Sequence, residues 1–306
     1  MMRKSHRVQR ILLVRKTTNL EWHGGFFRRE VAAGRIPASD LDRLQRAHDE
    51  HHQTLDGLRD RLRLAQIDFT EISRETEWPA TSVGEKFDAV LTVGGDGTLL
   101  TASHKVLDSC MMVGVRSSRS SVGYLCAYDG AMLDRLVANF CDGQITATAV
   151  ARIRAVVRPA GGGVQRSSAP VLNDFLYSNT NPAATTRYRL RLNDAVEDQK
   201  SSGIWISTAT GSSAVISAAG GERVSHTDRR AQYKVREPFT GGKIKPKRTW
   251  GFFDPVQDVF EIENRCERAF LALDGQHGEV PLKLGDLARI SAAPDLMLVL
   301  PDVAQR

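Results

Sequence analysis

The chain has 306 residues, 41% hydrophobic and 25% charged, with 42 Lys and Arg against 36 Asp and Glu for a formal net charge of +6. That length allows two domains and a substantial core. The modest basic excess suits an anionic small molecule, and no aromatic-interleaved basic stripe marks a nucleic-acid binder.

Cys110, Cys126, Cys141 and Cys266 share no C-x-x-C spacing, which speaks against zinc sites and disulfide frames. Reduced, mostly buried thiols in a cytoplasmic setting are expected. The opening MMRKSHRVQR is basic, but no apolar stretch of a secretory signal follows it. It reads as a short solvated tail, with a transit peptide left open on charge alone. No apolar run approaches the roughly 20 residues of a membrane span, so no membrane partner is expected.

Val8 to Val14 predicts a strand, and Leu41 to Gln66 a helix on the spacing of Leu41, Leu44, Ala47, Leu55, Leu58, Leu62 and Ala65. Ile67 to Ile72 alternates as a second strand. Ala89 to Val93 is a third, Leu99 to Leu107 a helix, and Met111 to Val115 a fourth strand. Strands alternating with helices imply an α/β domain with a Rossmann-like parallel sheet over residues 1–143.

The pattern changes near Cys141-Asp142-Gly143. Thr146 to Arg158 alternates, Gly161 to Gly163 supplies a turn, and Val164 to Ser178 continues extended. Arg187 to Leu192 alternates strictly, and Phe270 to Leu273 and Leu296 to Leu300 are apolar strands. One short helix is expected after Ser212. The polar stretch Ser225 to Arg248 reads as a long loop, its Lys243, Lys245, Lys247 and Arg248 either solvated or reaching ATP phosphates or polyphosphate. Residues 144–306 thus predict a β-rich, β-sandwich-like domain.

Chemistry concentrates after the third strand, at Gly94-Gly95-Asp96-Gly97-Thr98. Glycines at a strand-to-helix turn leave backbone N–H groups open to a ligand, and the helix start favours phosphate. A carboxylate there would repel phosphate unless it accepts a proton or reaches a metal, so the combination points to phosphoryl transfer. The other reading is an ordinary Asp-Gly turn capping a helix.

Three further segments stay open on the residues alone. Thr208, Thr210, Ser212 and Ser213 around Gly211 offer hydroxyls to a ligand, or Ser212 or Ser213 caps a helix. In VLNDFLYS, Asn173 and Asp174 point to opposite faces, so one of them needs an inward partner. Asp274-Gly275 reads as a hairpin turn. His48, His51 and His52 share a helical face at metal-ligand spacing, but nothing in the sequence supplies a third ligand, so no metal site is expected.

These elements in this order resemble the NAD kinase family: GGDGT at 94–98, the Asn-acid pair at 173–174, STATGSS at 207–213 and LDGQ at 273–276. The likeness extends over most of the chain and includes GYLC at 123–126. HDEHHQTLDGLRDRL at 48–62, DQKSSG at 198–203 and REPF at 236–239 resemble the mitochondrial-type branch. The resemblance implies transfer from ATP, with Mg²⁺ and no prosthetic group, to the adenosine ribose 2′-hydroxyl of NAD. It implies Asp96 as general base, with the nucleotides held by Gly94, Gly95, Gly97, Thr98, Leu100 and Tyr124. It also implies a dinucleotide grip at Asn173 and Asp174, a pocket wall at Thr208, Thr210, Gly211, Ser212, Ser213 and Ala214, and Asp274 near the site. A site in the cleft between the domains and a homodimer or larger homo-oligomer follow from the same likeness.

Departures are Asp174 for the usual Glu, Ala209 for Pro and Val215 for Tyr. Ser202 stands where much of the family has an Asp that reaches a neighbouring subunit's ligand. No Ser-His or Cys-His pair suggests a covalent intermediate. The rival readings are another GGDGT-type kinase, for lipid or sugar phosphate, and a non-catalytic dinucleotide sensor.

Overall fold

The computed structural model describes residues 7–79, 82–241 and 245–301. Two compact units divide the chain. One runs to Thr148 and resumes at Leu296, and the other is Ala149–Asp295. The domain boundary, expected after Gly143, thus falls a few residues later, and the end of the chain belongs with the first unit.

The first unit orders β1 Arg10–Arg15, α1 Asn19–Ala32, α2 Ala38–Leu64, β2 Asp68–Ser73, α3 Val83–Lys86, β3 Ala89–Gly94, α4 Asp96–Ser103, β4 Met111–Arg116, β5 Tyr128–Asp129 and α5 Leu133–Asp142. The strands pair in the order β2-β1-β3-β4-β5, all parallel, with Leu13 level with Leu91 and Leu91 with Val113. β3 is buried along its whole length, as a central parallel strand covered on both faces must be. One face packs Leu13, Leu91 and Val113 against Leu55, Leu58 and Leu62 of α2 and Leu133, Leu136 and Phe140 of α5. From β1 the chain goes to β2 on one side and to β3 on the other. Strand order therefore reverses between β1 and β3, and in open α/β sheets the crevice at such a point, outside the carboxyl ends of the strands, takes ligands.

α1 and α5 were not among the expected elements. α5 was legible, since Leu133, Leu136, Val137 and Phe140 recur at helical spacing and are buried. α1 buries only Leu20 and Gly24, and its sequence signal is the capping box of Thr18 and Glu21. α4 begins at Asp96, not Leu99, and stops at Ser103, short of Leu107.

The second unit comprises β6 Thr148–Arg158, β7 Arg166–Ser167, β8 Asp174–Asn179, β9 Thr186–Leu192, β10 Ala195–Ser201, β11 Gly203–Ser207, α6 Val215–Ala218, β12 Ala231–Arg236, β13 Trp250–Phe253, β14 Phe260–Asn264, β15 Arg268–Leu273, β16 Glu279–Lys283 and β17 Leu287–Leu298. One antiparallel sheet runs β13-β12-β11-β8-β15-β16. A second layer carries β10-β9-β14-β17, with β6 beside β17. Their inward residues share one core: Phe175, Tyr177, Ile204 and Ile206 from the first layer, Tyr188, Leu190, Phe260 and Ile262 from the second. This is a sandwich of two layers. β17 pairs with β14 through Leu287 to Ile290 in the second unit and with β4 through Met297 and Leu298 in the first.

Two expectations need correction here. Val164 to Ser178 is not one extended run, because β8 starts only at Asp174. The polar stretch 225–248 is not all loop, since β12 crosses it with Ala231, Tyr233 and Val235 buried in alternation. Lys234 and Arg236 on its other face masked that period. Lys243 lies outside the described residues, and Lys245 and Lys247 are exposed.

Candidate functional site

In the first unit the glycine turn closes β3 and opens α4. Gly95 occupies the N-cap position without any side-chain cap, and Asp96 is the first helical residue, so the plain capping-turn reading of Asp96 does not hold. Its carboxylate accepts the backbone N–H groups of Tyr124 and Leu125, each at 2.9 Å, and its own N–H donates to the Val122 carbonyl at 2.8 Å. Burial raises its pKa, the two backbone N–H groups oppose the rise, and the net direction is upward.

The glycines are fixed by this packing. A Cβ on Gly94 would lie 2.2 Å from Thr98 Oγ1, and one on Gly95 2.6 Å from the Val122 carbonyl oxygen. Gly97 passes its carbonyl to Thr101 Oγ1 at 2.8 Å. Thr98 and Leu100 are buried, whereas Tyr124 is 71% exposed. Tyr124 lines a cavity of about 680 Å³ with Arg116, Ser121, Tyr128 and Asp129.

Behind the turn is a buried chain of polar groups that the sequence reading missed. His51 Nδ1 lies 2.8 Å from Ser117 Oγ, Ser117 N–H donates to the Gly94 carbonyl at 2.8 Å, and Thr54 Oγ1 donates to the Ser117 carbonyl at 3.2 Å. Burial first, then the charges of Lys16 and His52, hold His51 down at about 3, so it stays neutral. The histidine spacing was visible, but its partner is 66 residues away. The third donor that spacing lacked is present: Glu21 on α1 brings a carboxylate within 4.8 Å of donor atoms of His48 and His52. Those groups are partly engaged already, His48 Nδ1 with Thr18 Oγ1 at 2.8 Å and Glu21 with the Thr18 N–H at 2.6 Å.

In the second unit the other predicted residues converge. Asp274, at the end of β15 in the left-handed region with φ 47°, accepts three backbone N–H groups: Leu172 at 3.0 Å, Asn173 at 2.7 Å and Asp174 at 3.0 Å. It therefore clamps the entry to β8, a role a hairpin turn alone would not require. Asp174 is 4% exposed, and burial, then the charge of Asp274, pushes its carboxyl up to about 7. The Thr208 hydroxyl donates to the Leu172 carbonyl and accepts the Gly211 N–H. A Cβ on Gly211 would lie 2.2 Å from the Asn173 carbonyl oxygen, so only glycine lets the hydroxyl loop approach β8 this closely.

Ser212 is buried and accepts the Val224 N–H at 3.1 Å, while Ser213 is exposed. Neither caps α6. The cap position is Ala214, half-buried and without a side-chain bond, and the short helix leaves Val215 exposed. Two buried polar atoms here, Asn173 Oδ1 and Thr210 Oγ1, have no hydrogen-bond partner among the described residues. Such groups are costly unless a ligand or water satisfies them. All four cysteines are free. Among the described residues no helix is long and apolar enough to cross a membrane.

No protein-family model matches the chain. It is 28% identical over 276 residues to a protein of Oryza sativa subsp. japonica named probable NADH kinase, spanning 82% of each chain. The NADH kinase of Arabidopsis thaliana is 28% identical over 251 residues, spanning 70% of this chain and 73% of that one. The NAD kinase of Azotobacter vinelandii is 31% identical over 144 residues, 45% of this chain and 46% of its own. Among solved structures, yeast NADH kinase complexed with NADH superposes with a TM-score of 0.70 at 13% identity, covering 97% of this chain and 84% of that one. The NAD kinase from Archaeoglobus fulgidus in complex with ATP gives 0.65 at 17%, covering 96% and 94%. The structural likenesses carry the fold, and over most of its length the chain is similar in sequence to proteins named NADH kinase, and over a shorter stretch to one named NAD kinase.

Proposed function

We propose that the chain is an ATP-dependent kinase that phosphorylates the adenosine ribose 2′-hydroxyl of NAD, giving NADP. One observation carries the reading. A half-buried carboxylate of raised pKa, Asp96, is held in a fixed orientation by two backbone N–H groups at the carboxyl end of a central parallel strand. An alcohol is a weak nucleophile at neutral pH, and a carboxylate whose pKa is raised toward the working range is a better base.

Asp96 takes the hydroxyl proton as the ribose oxygen bonds to the terminal phosphorus. The bond to the bridging oxygen breaks, and ADP leaves with its electron pair. Asn173 Oδ1 and the Thr210 hydroxyl, both unpartnered among the described residues, are the groups assigned to the dinucleotide, and Asp274 holds the backbone of Asn173 in place. The donor is taken as its magnesium complex, the ion being part of the substrate and offsetting charge on the terminal phosphates. A homodimer or larger homo-oligomer in the cytoplasm completes the proposal, resting on the family resemblance and the free cysteines.

The test incubates purified protein with ATP and Mg²⁺ and either NAD or NADH, reading product by an NADP-specific coupled dehydrogenase. Asp96→Asn is expected to fold and to lose roughly 10²- to 10⁴-fold in kcat, the usual weight of a general base. Full activity of that variant overturns the assignment of the base. Phosphorylation of lipid or sugar-phosphate acceptors instead of the dinucleotide overturns the substrate, and NAD binding without product favours a sensor. Light scattering on the eluting protein checks the oligomer.

A further inference from the structure

We propose that Glu21, His48 and His52 form a zinc site that ties α1 to α2. The inference goes beyond the kinase reading and does not depend on it. His48 and His52 stand one helical turn apart on α2, and Glu21 comes from the first turn of α1. One donor atom of each residue lies within 4.8 Å of the other two. Two imidazoles and a carboxylate are a donor set that zinc takes, with the fourth position left to water.

The distances suit an ion better than a finished ion pair. His52 Nε2 is buried and has no hydrogen-bond partner among the described residues, although Glu21 Oε1 lies 3.5 Å from it. Donors held at about 2.0–2.1 Å in a tetrahedron stand roughly 3.3–3.4 Å apart, so this pair already has nearly the length of one edge. The His48 and His52 rings have centroids 4.3 Å apart. The wider separations close by side-chain rotation, for which a site that is partly open to solvent leaves room.

Outer hydrogen bonds aim the donors. Glu21 Oε2 accepts the Thr18 N–H at 2.6 Å, while Oε1 is the oxygen near His52. The Thr18 hydroxyl lies 2.8 Å from His48 Nδ1 and accepts the Glu21 N–H at 3.2 Å. That contact engages one nitrogen of an imidazole that has two, and liganding histidines are commonly oriented by such a bond on the other nitrogen.

Nearby charges act in both directions. Arg15 Nη1 is 3.8 Å from Glu21 Oε1, but its Nε is closer to Glu71, at 3.3 Å. Lys16 feels the charges of Glu21 and Glu50. Arg15 and Lys16 therefore oppose a cation, Glu50 and Glu71 favour one, and bonding to the imidazoles must supply the affinity. That selects zinc over magnesium or calcium, which prefer oxygen ligands. The consequence falls on α1, which buries only Leu20 and Gly24 and is otherwise thinly anchored.

Tag-free protein, stripped with a chelator and exchanged into excess Mg²⁺, is titrated with zinc chloride by calorimetry. Wild type is expected to take one zinc per chain. His48→Ala, His52→Ala and Glu21→Gln should each weaken it by more than the ~10- to 100-fold that loss of an outer partner costs. His23→Ala removes an exposed histidine of α1 outside the set and should bind as wild type does. Hydrogen exchange at α1 amides should slow when zinc is added to wild type and not when it is added to Glu21→Gln.

No zinc binding by wild type overturns the site and leaves Glu21 and His52 as a plain ion pair. Wild-type affinity in Glu21→Gln, or in both histidine variants, places the ion elsewhere and overturns it too, as does an equal loss in His23→Ala. Glu21 is exposed, so its variant remains decisive if a histidine variant fails to fold. Binding lost in the variants without slower exchange in α1 keeps the metal site and overturns the tie. NADP formation is read in none of these arms, so this inference and the kinase reading stand or fall separately.

Discussion

Asp274 and Asp174 show how one carboxylate sets the chemistry of another. Asp274 spends both oxygens on three backbone N–H groups, and its charge then stands beside Asp174, which burial has already made reluctant to ionise. Asp274→Ala leaves those three donors unpaired and puts alanine at a positive φ. A loss on the order of 3 kcal/mol in unfolding free energy is expected. Denaturant melts of the variant check it, and an unchanged midpoint would contradict the clamp. The shorter acid at 174 departs from the usual Glu of the family. Its side chain lies inside the protein, and the oxygen without a hydrogen-bond partner among the described residues is that of its neighbour, the buried Asn173 Oδ1.

At the scale of elements, the glycine turn matters through what packs on it. The 121–126 segment lies against Gly95 so closely that a methyl group would strike the Val122 carbonyl at 2.6 Å. Gly95→Ala is therefore expected to push that segment away, break the Tyr124 and Leu125 bonds to Asp96, and cost about 1–3 kcal/mol through overpacking. Product formation should drop with it, while the KM for NAD moves less than kcat. Gly161→Ala, with nothing within 4 Å of the new methyl, is the matched control and is expected to stay within about 0.5 kcal/mol of wild type. Gly211→Ala belongs with the first case, since it meets the Asn173 carbonyl at 2.2 Å. Thermal melts and initial rates of the three variants together decide whether these glycines serve packing or mere flexibility.

For the whole molecule, the two units should respond to acid in opposite directions. His51, in the first unit, has a folded pKa of about 3 against 6.5. The unfolded chain binds the extra proton, so stability is lost as pH falls below 6.5, by about 1 kcal/mol at pH 5.5. Asp174, in the second, has a folded pKa of about 7 against 3.8. There the folded state binds the proton, and its stability falls as pH rises from about 4 through 7, so moving from pH 7.5 to 5.5 adds about 2 kcal/mol. Hydrogen exchange at the two pH values, read on β3 amides and on β8 and β11 amides, checks both signs. Asp174→Asn should abolish the second response and leave the first.

The sequence by itself determined the alternation of strand and helix, the β-rich second half, the glycine turn with its acid, and the four motifs that carry the family resemblance. All of these are local patterns, set by periodicity and by residues adjacent in the chain. It also held the apolar period of α5. Only the tertiary structure decided that Gly94 and Gly95 are glycines because of Val122 and Thr98, that Asp274 grips Leu172 to Asp174 from 100 residues away, and that Glu21 meets His48 and His52. It also decided that Arg74 and Lys16 share a hollow. Hydrogen bonds and charges act over a few ångströms of space whatever the separation along the chain, so which polar groups meet is settled when the sheets assemble and not before.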